Sequence, residues 1–294
     1  MANKLVSVVI PTFNCKAMVH ECLESIKAQS YAPIEVIVVD SFSNDGTKEL
    51  AEQYGTVYSF GRDPSQKNVF AVPFQRNYGV ARAKGEYVYW FDSDMRMHPD
   101  TIQRCVDTIE QNGADALIVP EESYGEGFWA QCRRLEKACY NRNPLSLTDA
   151  ARFLRKAVWD SLGGLDATLG GNDDYDLQLR LNEAGFKTVK LPGSIRHYEG
   201  NLSLPKHLRK KFIYGKTALH YFAKHRHRKG MLAKQYSVVR SDFLTQADLL
   251  AKEPAVAAGM LSMKVMEYSA ALAGLIYSAL KKETVTIRAD GAKP

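Results

Sequence analysis

Hydrophobic positions in the first two hundred residues fall into short unbroken runs, separated by stretches with helical spacing. Leu5 to Ile10 is one such run and ends at Pro11; Ile34 to Val39 is a β-branched run that ends at Asp40. Runs without polar alternation fit strands buried on both faces. Met18, Cys22 and Ile26 recur at helical spacing and predict a helix over Ala17 to Gln29. Asn44-Asp45-Gly46-Thr47 predicts a turn that opens a helix running to Tyr54. A third strand is expected over Thr56 to Phe60, then a helix over Gln75 to Lys84 stopped by Gly85. Glu86 to Phe91 reads as a strand ending in Asp92-Ser93-Asp94. Pro99 to Gln111 reads as a helix with proline at its start, and Ala114 to Val119 as a further strand.

Tyr124 to Leu162 is less regular. Gly163-Gly164 then precedes an acidic helix start, Asp173-Asp174-Tyr175-Asp176, and Lys187 to Leu191 is strand-like. After Pro205 the pattern is helical, so a boundary is placed near Gly200. The expected organisation is an α/β domain over 1–200 and a basic, helical region over 201–294. Alternation of strand and helix implies a mainly parallel sheet with flanking helices. Ligands of such sheets sit beyond the carboxyl ends of strands, and Pro11, Asp40 and Asp92 to Asp94 all fall there.

Of 294 residues, 45% are hydrophobic and 24% charged, which excludes a disordered chain, a collagen and a disulfide scaffold. The five cysteines form no CxxC pair. With no long apolar targeting segment at the N-terminus, they imply reduced thiols and a cytoplasmic chain. Charge is uneven. Gly200 to Ser241 holds no Asp or Glu and eleven Lys and Arg, which against the overall +6 leaves the rest of the chain at −5. Either this is a solvated face or it meets an anionic partner: nucleic acid, an anionic membrane or a phosphorylated substrate. No nucleic-acid module is recognisable there, so nucleic acid is not expected.

Two carboxylates one residue apart at a strand end, Asp92 and Asp94, can face one ligand and hold Mg2+ or Mn2+ shared with phosphate oxygens. The plainer alternative is a polar turn. Asp173 and Asp174 at a helix start are favoured by the helix dipole as capping acids; an ionised carboxylate at a pocket edge also serves as a general base. Arg76 offers a guanidinium for a diphosphate, and His197 matters if the fold brings it to Asp94.

Taken in order, VSVVIPTFN, VVDSFSNDGT, RNYGVARAKGEYVYWFDSD and GGLDATLGGNDDYDLQLRL resemble the motifs of the family 2 inverting glycosyltransferases of the GT-A fold. The resemblance covers roughly Val6 to Gly200. It implies a Rossmann-like domain that binds a nucleoside-diphosphate sugar, expected to be a UDP-sugar, with Mn2+ or Mg2+. It implies that Pro11 and Phe13 line the base pocket and that Asp40 and Ser41 lie at the nucleobase or ribose. It places Arg76 near the donor, Asp92 and Ser93 at the nucleotide, and Asp94 and His197 on the metal. Asp174 matches the catalytic base. Ser41 stands where the family has a second aspartate, and Asp173 where it has glutamate. The QxxRW motif of processive synthases is absent, so one sugar per acceptor is expected.

Val256 to Leu280 is long enough to span a bilayer but carries Lys264 and Glu267. Lys264, Glu267, Ala271, Gly274 and Ser278 form a polar or small stripe, and the other faces are apolar. The helix is expected to lie in a membrane interface or to pack on protein. Beside the basic segment it suggests a peripheral enzyme on the cytoplasmic face of an anionic membrane, with a lipid-linked saccharide or other glycan as acceptor. Polyprenyl phosphate itself is an alternative acceptor. A non-catalytic sugar-nucleotide-binding or nucleic-acid-binding protein is the alternative of another class.

Overall fold

The apolar runs become the strands of one layer. The computed structural model describes residues 3–60, 71–143, 149–236 and 241–281. The chain begins β1 (Val6–Thr12), α1 (Lys16–Lys27), β2 (Ile34–Asp40), α2 (Thr47–Ala51), β3 (Thr56–Ser59), α3 (Ala71–Val80), β4 (Tyr87–Trp90) and β5 (Met95–Arg96). It continues α4 (Thr101–Gln111), β6 (Ala116–Ile118), β7 (Glu121–Glu126), α5 (Gly127–Arg142), β8 (Ala151–Arg155) and α6 (Lys156–Leu162). A 3-10 turn (Ala167–Asn172) leads to α7 (Asp173–Glu183), β9 (Thr188–Lys190) and β10 (Ile195–Asn201). The remainder is helical: α8 (Leu204–Lys224), α9 (Lys229–Gln235), α10 (Ser241–Leu244), α11 (Ala247–Lys252) and α12 (Pro254–Lys281).

Among the described residues, seven strands form a sheet in the order β3-β2-β1-β4-β8-β6-β9. It is parallel except at β8, which runs against both β4 and β6. A smaller sheet, β5-β10-β7, begins just beyond the carboxyl end of β4. β1 is buried at every residue, and its side chains divide by parity, as a pleated strand requires. Val6, Val8 and Ile10 join one core with Val19, Leu23 and Phe153; Val9 joins the other with Val39, Trp90 and Leu177. Each fully buried aliphatic side chain contributes roughly 2 kcal/mol, which explains why the runs lack polar alternation. All five cysteines are buried and free.

Several boundaries differ from expectation. The helix expected from Gln75 runs instead over Ala71–Val80. Pro73 falls in its first turn, where a missing N–H costs nothing. The helix expected to reach Tyr54 ends at Ala51 and finishes as turns. The irregular stretch after Tyr124 contains α5, of sixteen residues, and the reversed strand β8. Arg240 and residues 282–294 of the C-terminal region lie outside the described residues.

β10 runs through position 200 before α8 begins. α12 packs along α8 and against α5, and its polar stripe faces inward. Lys264 Nζ lies 2.8 Å from Glu136 of α5 and 2.5 Å from Glu267. Glu267 also meets His207 of α8 at 2.5 Å. Burial opposes ionisation of Glu267, yet Lys211, His207 and Lys264 hold its carboxyl down at about 2. The apolar faces point outward: Leu261, Val265, Leu272, Ile276 and Leu280 are between 45% and 80% exposed.

Candidate active site

The loop after β1 and the loop after β2 are stapled together at the edge of the sheet. Thr12 pairs with Asp40 in register, and its Oγ1 donates to Asp40 Oδ1 at 2.9 Å. Ser43 donates to the same carboxylate through its Oγ at 2.6 Å and its backbone N–H at 2.8 Å. Asp40 is fully buried, so this carboxylate shapes the loop floor. Ser41 is buried beside it, its N–H bonded to Thr12 O. Gln75 of α3 donates to the carbonyls of Thr12 and Val39. Pro11 is buried in β1 beyond Val9, the last β1 residue paired with β4. At the two loop tips Phe13 and Phe42 expose about half of their surfaces, 54% and 52%. Asn14 and Phe42 beside them take positive φ, 45° and 58°. Phe42 lies inside VVDSFSNDGT but was assigned no role there; two short loops each holding an aromatic at a strand end was the signal available.

β4 delivers the Asp92-Ser93-Asp94 tripeptide. Arg76 Nη2 lies 2.5 Å from Asp92 Oδ1, and Arg152 Nη1 lies 3.0 Å from Oδ2. Both guanidinium groups also lie over the Trp90 ring, at 4.1 and 4.3 Å. Burial disfavours the charge on Asp92, but the two arginines hold its carboxyl well below the usual range. Asp92 therefore sets the positions of two cations, with both its oxygens engaged. Ser93 hydrogen-bonds the buried Cys15 thiol.

Asp94 meets His197 because β5 and β10 are antiparallel neighbours, with Met95 opposite His197. His197 Nε2 lies 3.4 Å from Asp94 Oδ2, and Nδ1 lies 3.0 Å from Glu121 Oε2. Burial works against the imidazolium, but Asp94 and Glu121 raise its pKa to about 10. Glu121, at the start of β7, also binds Lys137 at 2.8 Å and Arg152 at 2.7 Å. Asp94 Oδ1 is buried and has no hydrogen-bond partner among the described residues. A carboxylate oxygen left without a donor, next to an imidazole oriented by a second carboxylate, fits the donor set of a divalent cation.

Arg152 and Glu121 lie in no motif. β8 enters the sheet backwards, so its amino end, not its carboxyl end, lies beside the carboxyl end of β4; Phe153 pairs with Tyr89. A charged residue near the start of β8, ahead of Phe153 and Leu154, was the sole hint for Arg152.

The acidic helix start faces the same cluster. Asn77 of α3 donates to Leu165 O and accepts from Leu165 N, tying the RNYG and GGLD segments together. Gly171 lies so close to the Tyr214 ring of α8 that a Cβ would sit 2.5 Å from it. Asp173 and Asp174 follow in the first turn of α7. Asp173 is buried, 3.7 Å from Arg76. Burial and the charge of Asp174 push its carboxyl up to about 8. Asp174 is half-buried; burial raises its pKa too, against the nearby charges of Arg152 and Arg76. Burial thus raises both adjacent carboxyls, the charge of Asp174 acting further on Asp173 while Arg152 and Arg76 oppose the rise at Asp174.

The basic segment is partly consumed internally. Lys224 binds Asp166 and Asp176, Arg228 binds Glu183, and Lys211 reaches Glu267. This pairing accounts for part of the charge imbalance read from the sequence. Lys206, Arg209 and Lys210 remain exposed at the start of α8. Tyr214 beside it, and more weakly the charges of Asp94 and Asp92, raise the pKa of Lys210 against burial.

The profile of glycosyl transferase family 2 matches residues 7–158. Glycosyltransferase AglE of Haloferax volcanii is 29% identical over 194 residues, which is 62% of this chain and 62% of that protein. Chondroitin synthase of Escherichia coli is 27% identical over 191 residues, 63% of this chain and 28% of that protein. The chain thus spans less than two thirds of the length of either relative. A mannosyltransferase from Pyrobaculum calidifontis in complex with GDP-Man and Mn2+ aligns with a TM-score of 0.65 at 18% identity, over 95% of this chain and 88% of that one. Staphylococcus aureus TarS 1-349 in complex with UDP-GlcNAc aligns with a TM-score of 0.51 at 16% identity, over 95% and 92%. At these identities the likeness is one of fold.

Proposed function

The chain belongs to glycosyl transferase family 2, and we propose that it moves one sugar from a nucleoside-diphosphate sugar to a lipid-linked saccharide with inversion at the anomeric carbon. The observation that carries the reading is Asp94, with an unpartnered buried oxygen, meeting His197 in the charge cluster that Asp173 and Asp174 also face. The complexes of two neighbours with GDP-Man and UDP-GlcNAc support a nucleotide-sugar donor without choosing the base.

The nucleotide lies across the β1 and β2 loops, with Phe13 and Pro11 against the base and Asp40 and Ser41 holding the loop that frames it. Arg76 and Arg152, placed by Asp92, supply positive charge at the diphosphate edge, and Ser93 lies between Asp92 and Asp94. Asp94 and His197 would hold Mn2+ or Mg2+, which when bound would supply Lewis-acid stabilisation of the leaving diphosphate. Asp174 takes the proton of the acceptor hydroxyl as that oxygen attacks the anomeric carbon from the face opposite the diphosphate. The bond to the diphosphate oxygen breaks, and that oxygen leaves with the electron pair. Asp94→Ala is expected to abolish the effect of Mn2+ on nucleotide affinity, weakening binding in its presence by about 100-fold. Titration of nucleotide with and without Mn2+ checks this; an unchanged metal effect removes Asp94 from the metal.

The acceptor reading rests on the outward face of α12 beside the exposed cations of α8. No described helix is long and apolar enough to cross a membrane. The stripe from Leu261 to Leu280 instead suits shallow insertion into an anionic interface, with Lys206, Arg209 and Lys210 at the headgroups. The protein is expected to float with vesicles of phosphatidylcholine and phosphatidylglycerol, and less with phosphatidylcholine alone. Leu272→Glu with Ile276→Glu lowers this binding by about tenfold or more. Equal flotation of that variant would remove α12 from the contact.

A further inference from the structure

A second set of ligand atoms lies away from the charge cluster, where the end of α8 meets the end of α7. Glu183 closes α7, while His225 and His227 flank Arg226 in the turn after α8. One donor atom from each lies within 4.8 Å of the others. His225 is 2% exposed. Its Nε2 lies 2.9 Å from Asp176 Oδ1, a fully buried carboxylate that Arg180 and Lys224 also hold at 2.7 Å. Asp176 as acceptor fixes the proton on Nε2 and leaves the lone pair on Nδ1. That Nδ1 is buried and has no hydrogen-bond partner among the described residues. An imidazole braced by a carboxylate on one nitrogen and unpartnered on the other is how metal-ligating histidines are held. A buried nitrogen without a partner otherwise carries an uncompensated desolvation cost.

We propose that Glu183, His225 and His227 bind a transition-metal cation of the Zn2+ type, His225 through Nδ1, and that the metal fastens the turn after α8 to the end of α7. Two imidazole nitrogens and one carboxylate form a three-ligand set for Zn2+, with a fourth position left to water. Mg2+ and Ca2+ prefer all-oxygen sets. Arg228 Nε lies 2.8 Å from Glu183 Oε1 and competes for that oxygen, and Lys224, Arg226 and Lys229 adjoin the histidines in sequence. This positive surrounding further disfavours weakly bound hard cations. His227 Nε2 and Glu183 Oε1 are already 3.3 Å apart at the partly exposed side of the site, the side from which an ion enters. The fastened helix, α7, carries Asp173 and Asp174 in its first turn.

The test uses the full chain, stripped with chelator and titrated with Zn2+ alone in competition with a colorimetric chelator, with thermal unfolding in parallel. Asp94→Ala serves as background, because Zn2+ can also enter the Asp94–His197 pair. That chain is expected to bind a single Zn2+ and to unfold at a higher temperature with it. Adding His227→Ala or Glu183→Gln, both at partly exposed positions, weakens binding at least about tenfold and cancels the thermal shift. Should Asp94→Ala not fold, the same comparison is made as the stoichiometry lost between wild type and His227→Ala. Absence of Zn2+ binding, or equal binding with and without His227, overturns the proposal.

Discussion

Replacing Asp174 by asparagine is expected to lower sugar transfer by about a thousandfold while leaving nucleotide-sugar affinity within a few-fold. Asparagine keeps the shape and cannot accept the acceptor's proton. Asp173→Asn provides the contrast. Burial and the charge of Asp174 push that acid's pKa up to about 8, which disfavours its ionised form, so its amide is expected to retain much more activity. The opposite ranking of the two variants would exchange their roles. The pH profile gives a second check. A base works only when ionised, and burial raises the Asp174 pKa above the ordinary aspartate value of 3.8. The acidic limb of the rate profile is therefore expected above that value, with activity falling as pH drops through it and the limb missing in Asp174→Asn.

Lys264→Met is expected to cost about 3–5 kcal/mol of stability, as buried pairs do when one partner is removed. Lys264 lies between Glu136 and Glu267, both almost fully buried. Removing it leaves two adjacent acids with Arg133 and Lys211 as the remaining cations around them and His207 as a hydrogen-bond partner of Glu267. Denaturant unfolding of the variant measures the loss. A cost below about 1 kcal/mol would mean that solvent reaches this cluster. The same substitution at an exposed lysine such as Lys206 is expected to change stability by less than about 0.5 kcal/mol.

The sheet was legible where burial is symmetrical. β1, β2 and β4 have no polar face, so the runs locate them, although β1 continues past Ile10 to Thr12 and β4 is shorter than its run at both ends. α5 and β8 were not legible, because their inward residues include charges: Arg133 and Glu136 in one, Arg152 in the other. A periodicity built on apolar positions cannot register a helix whose buried side holds an ion pair. The same physics governs the site. Motif residues Arg76, Asp92, Asp94 and Asp174 could be named in advance, and the structure gathers them into one charge cluster. Glu121, which links His197 to Arg152, depends on which strand lies beside which, and pairing across the small sheet is invisible to local sequence. The stripe on α12 was readable as a stripe, whereas its inward direction was not. A row of Lys, Glu, Gly and Ser is ordinarily the wet side of a helix.

That inversion also settles how α12 is oriented about its own axis. A helix seated on a smooth apolar face can roll at little cost, since one methyl group substitutes for another. Here Lys264 is held by Glu136 of α5 and Glu267 by His207 of α8, and the glycines at 215 and 274 let the backbones of α8 and α12 meet so closely that a Cβ on Gly274 would lie 2.0 Å from Phe212 O. The rotational phase is pinned as by a key in a slot, and the greasy outer row is presented at one fixed bearing relative to Asp173 and Asp174.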